Sequence, residues 1–314
     1  MVDNEAILQL QARIGSEHLS KRLQRQTEHS ALRFTPRGLE IHWENIEKLG
    51  TTLKVLLKAC GLFGRATRNS MDYKVETVKV PLRGLPPSFR GFRILHLSDL
   101  HLESILDRGR RLREVIGSLH YDLCVITGDF RFHTYGDYEE TIARMAELTT
   151  AIHCPHGILG ILGNHDFIEM VPGLEKHGLQ MLLNESVPIH RGKDTMWIVG
   201  LDDTNYYGTD DLAKALRNVP AEATKILLAH SPEIIESACE AGMDYYLCGH
   251  SHGGQMCLPG GISIINNSHC GRQYIAGPWN YQNRMPGYTS RGTGASLLPV
   301  RIFCPPEITL HHLV

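Results

Sequence analysis

The segment FRILHLSDLH, residues 92–101, decides how the rest of the chain is read. Its first half is short, apolar and rich in β-formers, which reads as a buried strand. Its second half turns abruptly polar and offers Asp99 and His101. The same juxtaposition recurs along the chain. DLCVIT (122–127) runs into Gly128 and Asp129, GILGIL (157–162) into Gly163, Asn164, His165 and Asp166, KILLA (225–229) into His230, and DYYLC (244–248) into Gly249, His250, Ser251 and His252. WIVGL (197–201) is a further run of this kind. Between several of them lie helical patterns, RGRRLREVIGSL and YEETIARMAELT, so the chain alternates strand and helix as an α/β fold does. In such sheets the carboxyl ends of the strands share one edge, where ligands bind, and clusters far apart in sequence can converge there. TMWIVGLDDT also suits the start of an antiparallel portion, and the tail GASLLPVRIFCPPEITLHHLV carries two more strand-like runs around Pro305 and Pro306.

The residue types at these strand ends predict what the site holds. With 18 histidines in 314 residues, the His250-Ser251-His252 turn says little by itself. Five strand ends carrying Asp, His or Asn say more, because unpartnered polar groups at those places are otherwise costly. Carboxylate oxygens, imidazole nitrogens and one amide oxygen, with no thiolate, suit divalent ions such as Mn²⁺, Fe²⁺ or Zn²⁺. There are too many ligands for one ion. Two ions sharing a carboxylate, about 3.5–4 Å apart, form a clamp for the attacking and leaving oxygens of a phosphoryl transfer.

The order Asp-x-His, Gly-Asp, Gly-Asn-His-Asp, His and Gly-His-x-His, from about Phe92 to Gln255, resembles the calcineurin-like metallophosphoesterases. The resemblance implies a four-layer α-β-β-α sandwich with a helical N-terminal extension. It also implies that Asp99, His101 and His252 hold a first metal, that Asn164, His230 and His250 hold a second, and that Asp129 bridges them. By the same resemblance His165 faces the scissile phosphate and Asp166 orients it. The tail, with SRGTG (290–294), PVR (299–301) and CPPE (304–307), is similar to one branch of the family. That branch includes bacterial phosphodiesterases and a UDP-2,3-diacylglucosamine pyrophosphatase of lipid A synthesis. The chain departs from many relatives after Gly-Asp, where Phe130, Arg131, Phe132 and His133 stand in place of small or acidic residues, a change that bears on substrate shape.

Composition bounds the rest. The chain is 42% hydrophobic and 21% charged, ordinary for a globular protein, and its 32 basic and 34 acidic side chains give no global attraction to nucleic acid. Eight cysteines without a Cys-x-x-Cys pair predict reduced thiols, with Cys248 and Cys257 as small buried hydrophobes. The N-terminus mixes both charges and lacks a signal-peptide core, which predicts a cytoplasmic protein. Residues 1–85 form the expected extension and 86–314 the catalytic domain. From Lys48 to Met71 there are five basic residues and no acid, with Leu49, Leu53, Leu56, Leu57, Cys60 and Phe63 on one helical face. That face suits an anionic inner-membrane surface, a cover over an apolar channel that a lipid chain enters, or packing on the catalytic domain.

The function these features predict is a dinuclear hydrolase of phosphodiester or pyrophosphate bonds, its nucleophile a hydroxide bridging two metal ions, Mn²⁺ foremost. Protonated His165 would supply a donor to the phosphoryl or leaving oxygens. A nucleotide-linked lipid such as UDP-2,3-diacylglucosamine is the preferred substrate. The alternatives are a broad phosphodiesterase or phosphatase on soluble substrates, and a non-catalytic metal-binding scaffold. His96 reads as a hydrogen-bonded core residue. Arg131 and Arg291 read as structural or as binding a second phosphate, and the pair His311-His312 as a solvated end.

Overall fold

The structure is a computed structural model that describes residues 4–28, 32–35, 38–41, 46, 48–263 and 268–314. The N-terminal segment holds helices α1 (Asn4–Ile14) and α2 (Ser16–Thr27), a hairpin of β1 (Leu32–Thr35) and β2 (Gly38–Ile41), and helices α3 (Leu49–Ala59) and α4 (Phe63–Asn69). There follow β3 (Lys74–Val80), β4 (Arg93–Leu97), α5 (Arg110–Gly117), β5 (Leu123–Thr127), α6 (Glu139–Thr149), β6 (Ile158–Ile161), α7 (Val171–Lys176) and β7 (Leu179–Met181). The second half runs β8 (Glu185–Arg191), β9 (Asp194–Gly200), α8 (Leu212–Leu216), β10 (Thr224–Leu228), α9 (Ile235–Glu240) and β11 (Tyr245–Cys248). It ends with the short pair β12 (Cys257–Leu258) and β13 (Ile262–Ser263), then β14 (Gly277–Tyr281), β15 (Met285–Thr289) and β16 (Glu307–Leu313).

Two six-stranded sheets result, in the orders β3-β16-β4-β5-β6-β7 and β14-β15-β11-β10-β9-β8. Each sheet is parallel through its centre, and β9 also pairs antiparallel with β8, the alternative that TMWIVGLDDT suggested. Side-chain alternation shows the layering. Ile94, Val125 and Ile161 of the first sheet meet Ile198, Leu228 and Leu247 of the second in one buried cluster. The opposite faces of the same strands, Leu95, Leu97 and Ile126, pack under Leu112, Ile116, Met145 and Leu148 of α5 and α6. Val199, Leu227 and Tyr246 pack likewise against Ala215 of α8 and Ala238 of α9. Both faces of each central strand are covered, which is why these segments read as continuous apolar runs. The four-layer α/β sandwich expected from the sequence is the architecture observed.

The N-terminal segment is built into this frame. The expected extension, drawn to residue 85, includes β3, which pairs along its length with β16 at the sheet edge. Helices α1 and α2 place Leu10, Ile14 and Leu19 in the helix-side core of the first sheet. Of the amphipathic face read at residues 49–63, Leu53, Leu57 and Phe63 pack with Ala66 against Leu298 and Val300 of the tail. Val55 and Leu56 are 62% and 60% exposed, and Cys60 is exposed. His311, expected at a solvated end, is buried. Its strand β16 lies between β3 and β4, and its ring meets Tyr245, Tyr288 and His96.

Candidate metal centre

Both sheets direct their carboxyl edges to one place. Asp99, Asp129, His230 and His250 each lie two residues beyond a strand end, and Asn164 three beyond β6. The backbone there is unusual: Asp99, His101, Asp129, His250 and His252 all have positive φ, between 41° and 71°. Left-handed backbone in five non-glycine residues is costly, and such strain collects at functional sites. It turns each side chain back toward the common centre. Gly249 is required by space, since a Cβ there would overlap Ser98 Oγ and Asp99 Oδ2.

All seven ligand candidates named from the sequence are brought together. One ligand atom from each of Asp99, His101, Asp129 and His252 lies within 4.8 Å of the others. His101 Nε2 is 3.1 Å from His252 Nε2, and His252 Nε2 is 3.4 Å from Asp99 Oδ1. On the other side, Asn164 Oδ1 is 3.0 Å from His230 Nε2 and 2.9 Å from His250 Nδ1. Asp129 joins the two sets: its Oδ2 faces His101 Nε2 at 3.6 Å and His230 Nε2 at 3.4 Å. Its other oxygen, Oδ1, accepts a hydrogen bond from His165 N at 2.9 Å, which fixes the carboxylate with Oδ2 inward.

Hydrogen bonding sets the tautomers. His101 Nδ1 donates to the Arg131 carbonyl and His230 Nδ1 to the Thr127 carbonyl, which aims Nε2 of each ring at the centre. Imidazole nitrogens and a shared carboxylate, converging in a buried site, fit a divalent cation. Burial works to raise the Asp129 carboxyl, but the imidazoles of His230, His165 and His101 overrule it and hold it well below the usual range. Burial likewise would lower His230, and the Asp129 carboxylate holds it up to about 10 in the metal-free protein. For His252, burial together with neighbouring His101 and Arg301 favours the neutral, ligand-competent imidazole.

His165 sits at the rim of this cluster, its Nε2 3.9 Å from Asp129 Oδ2 and its Nδ1 donating to the Phe132 carbonyl at 2.8 Å. Asp166, expected to orient that ring, does something else. Its Oδ1 accepts from the N–H groups of Phe130 and Arg131 at 2.8 and 3.1 Å, and its Oδ2 from those of Asp129 and Gly163 at 2.8 and 2.9 Å. The carboxylate is turned into its own loop by four backbone donors, and it ties the Gly-Asp turn to the Gly-Asn-His-Asp turn. The Phe130–His133 segment reaches the site through its backbone, since the carbonyls of Arg131 and Phe132 orient His101 and His165. Arg131 itself is buried, bonded to the carbonyls of Tyr135, Gly136 and Asp137 and stacked on Phe167. Arg291 pairs with Glu76 and Glu307. Both side chains are engaged within the protein, and His96 is the buried core residue expected, bonded to Thr127.

Several residues at the centre were not assigned roles from sequence. Ser98 Oγ donates to Asp99 Oδ2 at 2.6 Å, and Asn205 Nδ2 lies 3.3 Å from His250 Nε2. Arg301, fully buried, donates to the carbonyls of Gly292, Gly294 and His252. The N–H groups of Thr293 and Gly294 bond the carbonyls of Ser98 and Asp99. The tail motifs SRGTG and PVR therefore close over the Asp99 and His252 turns, and the motifs themselves were the only signal available in the sequence.

With this geometry in hand, comparison with known proteins decides the family. The family described as calcineurin-like phosphoesterase matches residues 92–254, just over half of the chain. The chain belongs to the calcineurin-like phosphoesterases. As a member of that family it is a metal-dependent phosphoester hydrolase, and its buried Asp/His cluster is a divalent-metal site. The Bacillus subtilis metallophosphoesterase YkoQ is 30% identical over 79% of this chain and 93% of its own. The UDP-2,3-diacylglucosamine pyrophosphatase LpxG of Chlamydia muridarum is 25% identical over 72% of this chain and 85% of its own. The structure of Haemophilus influenzae NAD nucleotidase (NadN) is similar at 18% identity and a TM-score of 0.39, covering 68% of this chain and 45% of that one. The chain thus spans about half the length of that solved structure. Among the described residues, no helix is long and apolar enough to cross a membrane.

Proposed function

We propose that this phosphoesterase cleaves phosphodiester or pyrophosphate bonds with two divalent ions, Mn²⁺ foremost. Asp99, His101 and His252 would hold one, Asn164, His230 and His250 the other, and Asp129 both. The observation that carries this reading is the single carboxylate oxygen of Asp129 facing imidazoles from both sets. When bound, two such ions acidify water toward neutrality and draw charge from a phosphoryl oxygen. The chain's own residues supply the rest. Because Nδ1 of His165 is engaged by the Phe132 carbonyl, a proton it gives away must sit on Nε2, so the donor is the imidazolium. Metal-free protein should regain hydrolysis of bis(p-nitrophenyl) phosphate on adding Mn²⁺. Asp129→Ala and Asn164→Ala should abolish turnover while circular dichroism is unchanged. Failure of Mn²⁺, Fe²⁺ and Zn²⁺ alike would overturn the reading.

The substrate we favour is a nucleotide-linked lipid such as UDP-2,3-diacylglucosamine, met at the inner membrane surface of the cytoplasm. Its support is the similarity to LpxG and the surface beside the site. A cavity of about 300 Å³ is lined by Leu62, Phe303, Arg65 and Lys74 together with Arg301 and Cys304. Cys304 Sγ donates to the His252 carbonyl at 3.2 Å, so the cavity adjoins the metal centre. Leu62 and Phe303 are 46% and 56% exposed, and Val55 and Leu56 face outward beside Lys54 and Lys58, a basic rim around apolar side chains. Residues 1–70 contribute Leu10, Ile14, Leu19, Leu57 and Ala66 to the packed core, so point changes are the appropriate test. Leu62→Asp with Phe303→Asp should cut cleavage of the acylated substrate at least tenfold and leave the soluble diester unaffected. Equal losses on both would remove the lipid reading.

A further inference from the structure

The turn that carries Asn164 and His165 is gripped from outside by a helix more than a hundred residues away in sequence. Arg22 of α2 is fully buried, although apart from Leu19 and Leu23 its helix is polar. Its Nη2 donates to the carbonyl of Asp166 at 2.9 Å and lies 3.4 Å from that of Gly163, the two ends of the Gly-Asn-His-Asp turn. The guanidinium lies over the Tyr207 ring, 3.6 Å from its centroid, and Tyr207 Oη donates to the third carbonyl, that of Asn164, at 2.9 Å. One residue and the ring it stacks on therefore hold three of the turn's four carbonyls. The arrangement is anchored behind: Arg22 Nε is 3.5 Å from Asp202 Oδ1, and Asp202 Oδ2 meets His18 Nε2 and Thr209 Oγ1, each at 2.8 Å. One turn further along α2, Gln26 accepts from Ile168 N at 2.7 Å and donates to Glu169.

A buried guanidinium is an expensive device for docking a helix, which an apolar side chain would do as well. What it adds is direction, since a planar fork fixes carbonyls in a way a hydrocarbon cannot. We propose that Arg22 is a positioning residue for the reaction: through it, α2 sets the place of Asn164 Oδ1 and of the His165 ring relative to the Asp129 carboxylate. The N-terminal helices are then a working part of the site, although Arg22 touches neither substrate nor the reacting atoms. The inference rests on the two-ion reading above.

The test uses the full chain with Arg22→Ala, Arg22→Lys and the milder Arg22→Gln. Three quantities are read: kcat and KM on bis(p-nitrophenyl) phosphate, Mn²⁺ affinity by calorimetry, and the melting temperature. Arg22→Ala is expected to lower kcat at least tenfold with KM within twofold, and to weaken the second Mn²⁺ about tenfold. Added guanidinium ion should restore part of kcat in Arg22→Ala and none in the wild type. Arg22→Lys should not rescue, since an ammonium does not reproduce the planar fork. If Arg22→Ala does not fold, Arg22→Gln carries the same expectations at smaller size. The proposal is overturned if the folded variant melts lower but keeps kcat and both Mn²⁺ affinities within twofold. The calorimetry separates the two claims: wild type that binds two Mn²⁺ without hydrolysing any diester sinks the functional reading, and the variant's affinity still judges Arg22.

Discussion

Replacing Asp166 by asparagine separates two roles that sequence alone does not distinguish. The carboxylate accepts four backbone N–H bonds, two on each oxygen, at 2.8 to 3.1 Å. An amide keeps one oxygen and turns an NH₂ group toward the other pair of donors, whichever way it is placed. Leaving a buried donor unsatisfied costs about 1–3 kcal/mol, so two cost about 2–6 kcal/mol, with about 4 kcal/mol as a central figure. At about 2.1 cal/mol/K per residue, a chain of 314 residues shifts by about 1.5 °C per kcal/mol, so the melting temperature should fall by about 6 °C. The assay is scanning calorimetry of the metal-free full chain, so that loss of bound metal does not enter. Turnover should fall as well, because the same bonds hold Asp129 in register with Asn164. A melting temperature within about 2 °C of wild type, with turnover lost, would refute the reasoning. It would return Asp166 to a role on the His165 ring.

Other expectations follow from the same contacts. Gly249→Ala places a methyl group on Ser98 Oγ and Asp99 Oδ2, and should reduce kcat/KM on bis(p-nitrophenyl) phosphate at least a hundredfold; near-normal activity would show that the turn yields. Arg301→Met keeps the bulk but abandons the carbonyls of Gly292, Gly294 and His252, and should weaken Mn²⁺ binding about 10–100-fold by calorimetry. Asp202 is opposed by burial, but Arg22 and His18 hold it down from its ordinary 3.8 to about 2. A depressed carboxyl contributes stability that is present above pH 3.8 and is lost as pH falls toward 2. The shift is worth about 2 kcal/mol. Urea unfolding of wild type should weaken more steeply than that of Asp202→Asn between these limits, and parallel curves would contradict the assignment.

Strands β4, β5, β6, β10 and β11 are legible because helices and the facing sheet cover both their faces, so the whole run is apolar and its polar end stands out. The site is legible for the same reason, since Asp99, Asp129, His230 and His250 begin where the apolar run stops. Edge strands lack that contrast. Lys74–Val80 is mostly exposed or half-buried and sets three valines among charged residues rather than in an apolar run, and Gly277–Tyr281 carries a proline where a central strand would not. His311 looked terminal because nothing local shows that the last strand inserts between two others. Arg22 was beyond reach for a different reason. Its partners lie some 140 residues on, and a single arginine in a polar helix carries no sign that it will be buried. The role of Asp166 fell between these cases: its identity was read, but its partners are backbone N–H groups, which no side-chain pattern records.

The central claim is that two ions share the Asp129 carboxylate, and electron paramagnetic resonance of the Mn²⁺-loaded protein addresses it directly. Titration to two equivalents should give an exchange-coupled spectrum, which Asp129→Ala converts to that of isolated Mn²⁺ or of unbound ion. A wild-type spectrum of one isolated Mn²⁺ per chain at saturation would contradict the account.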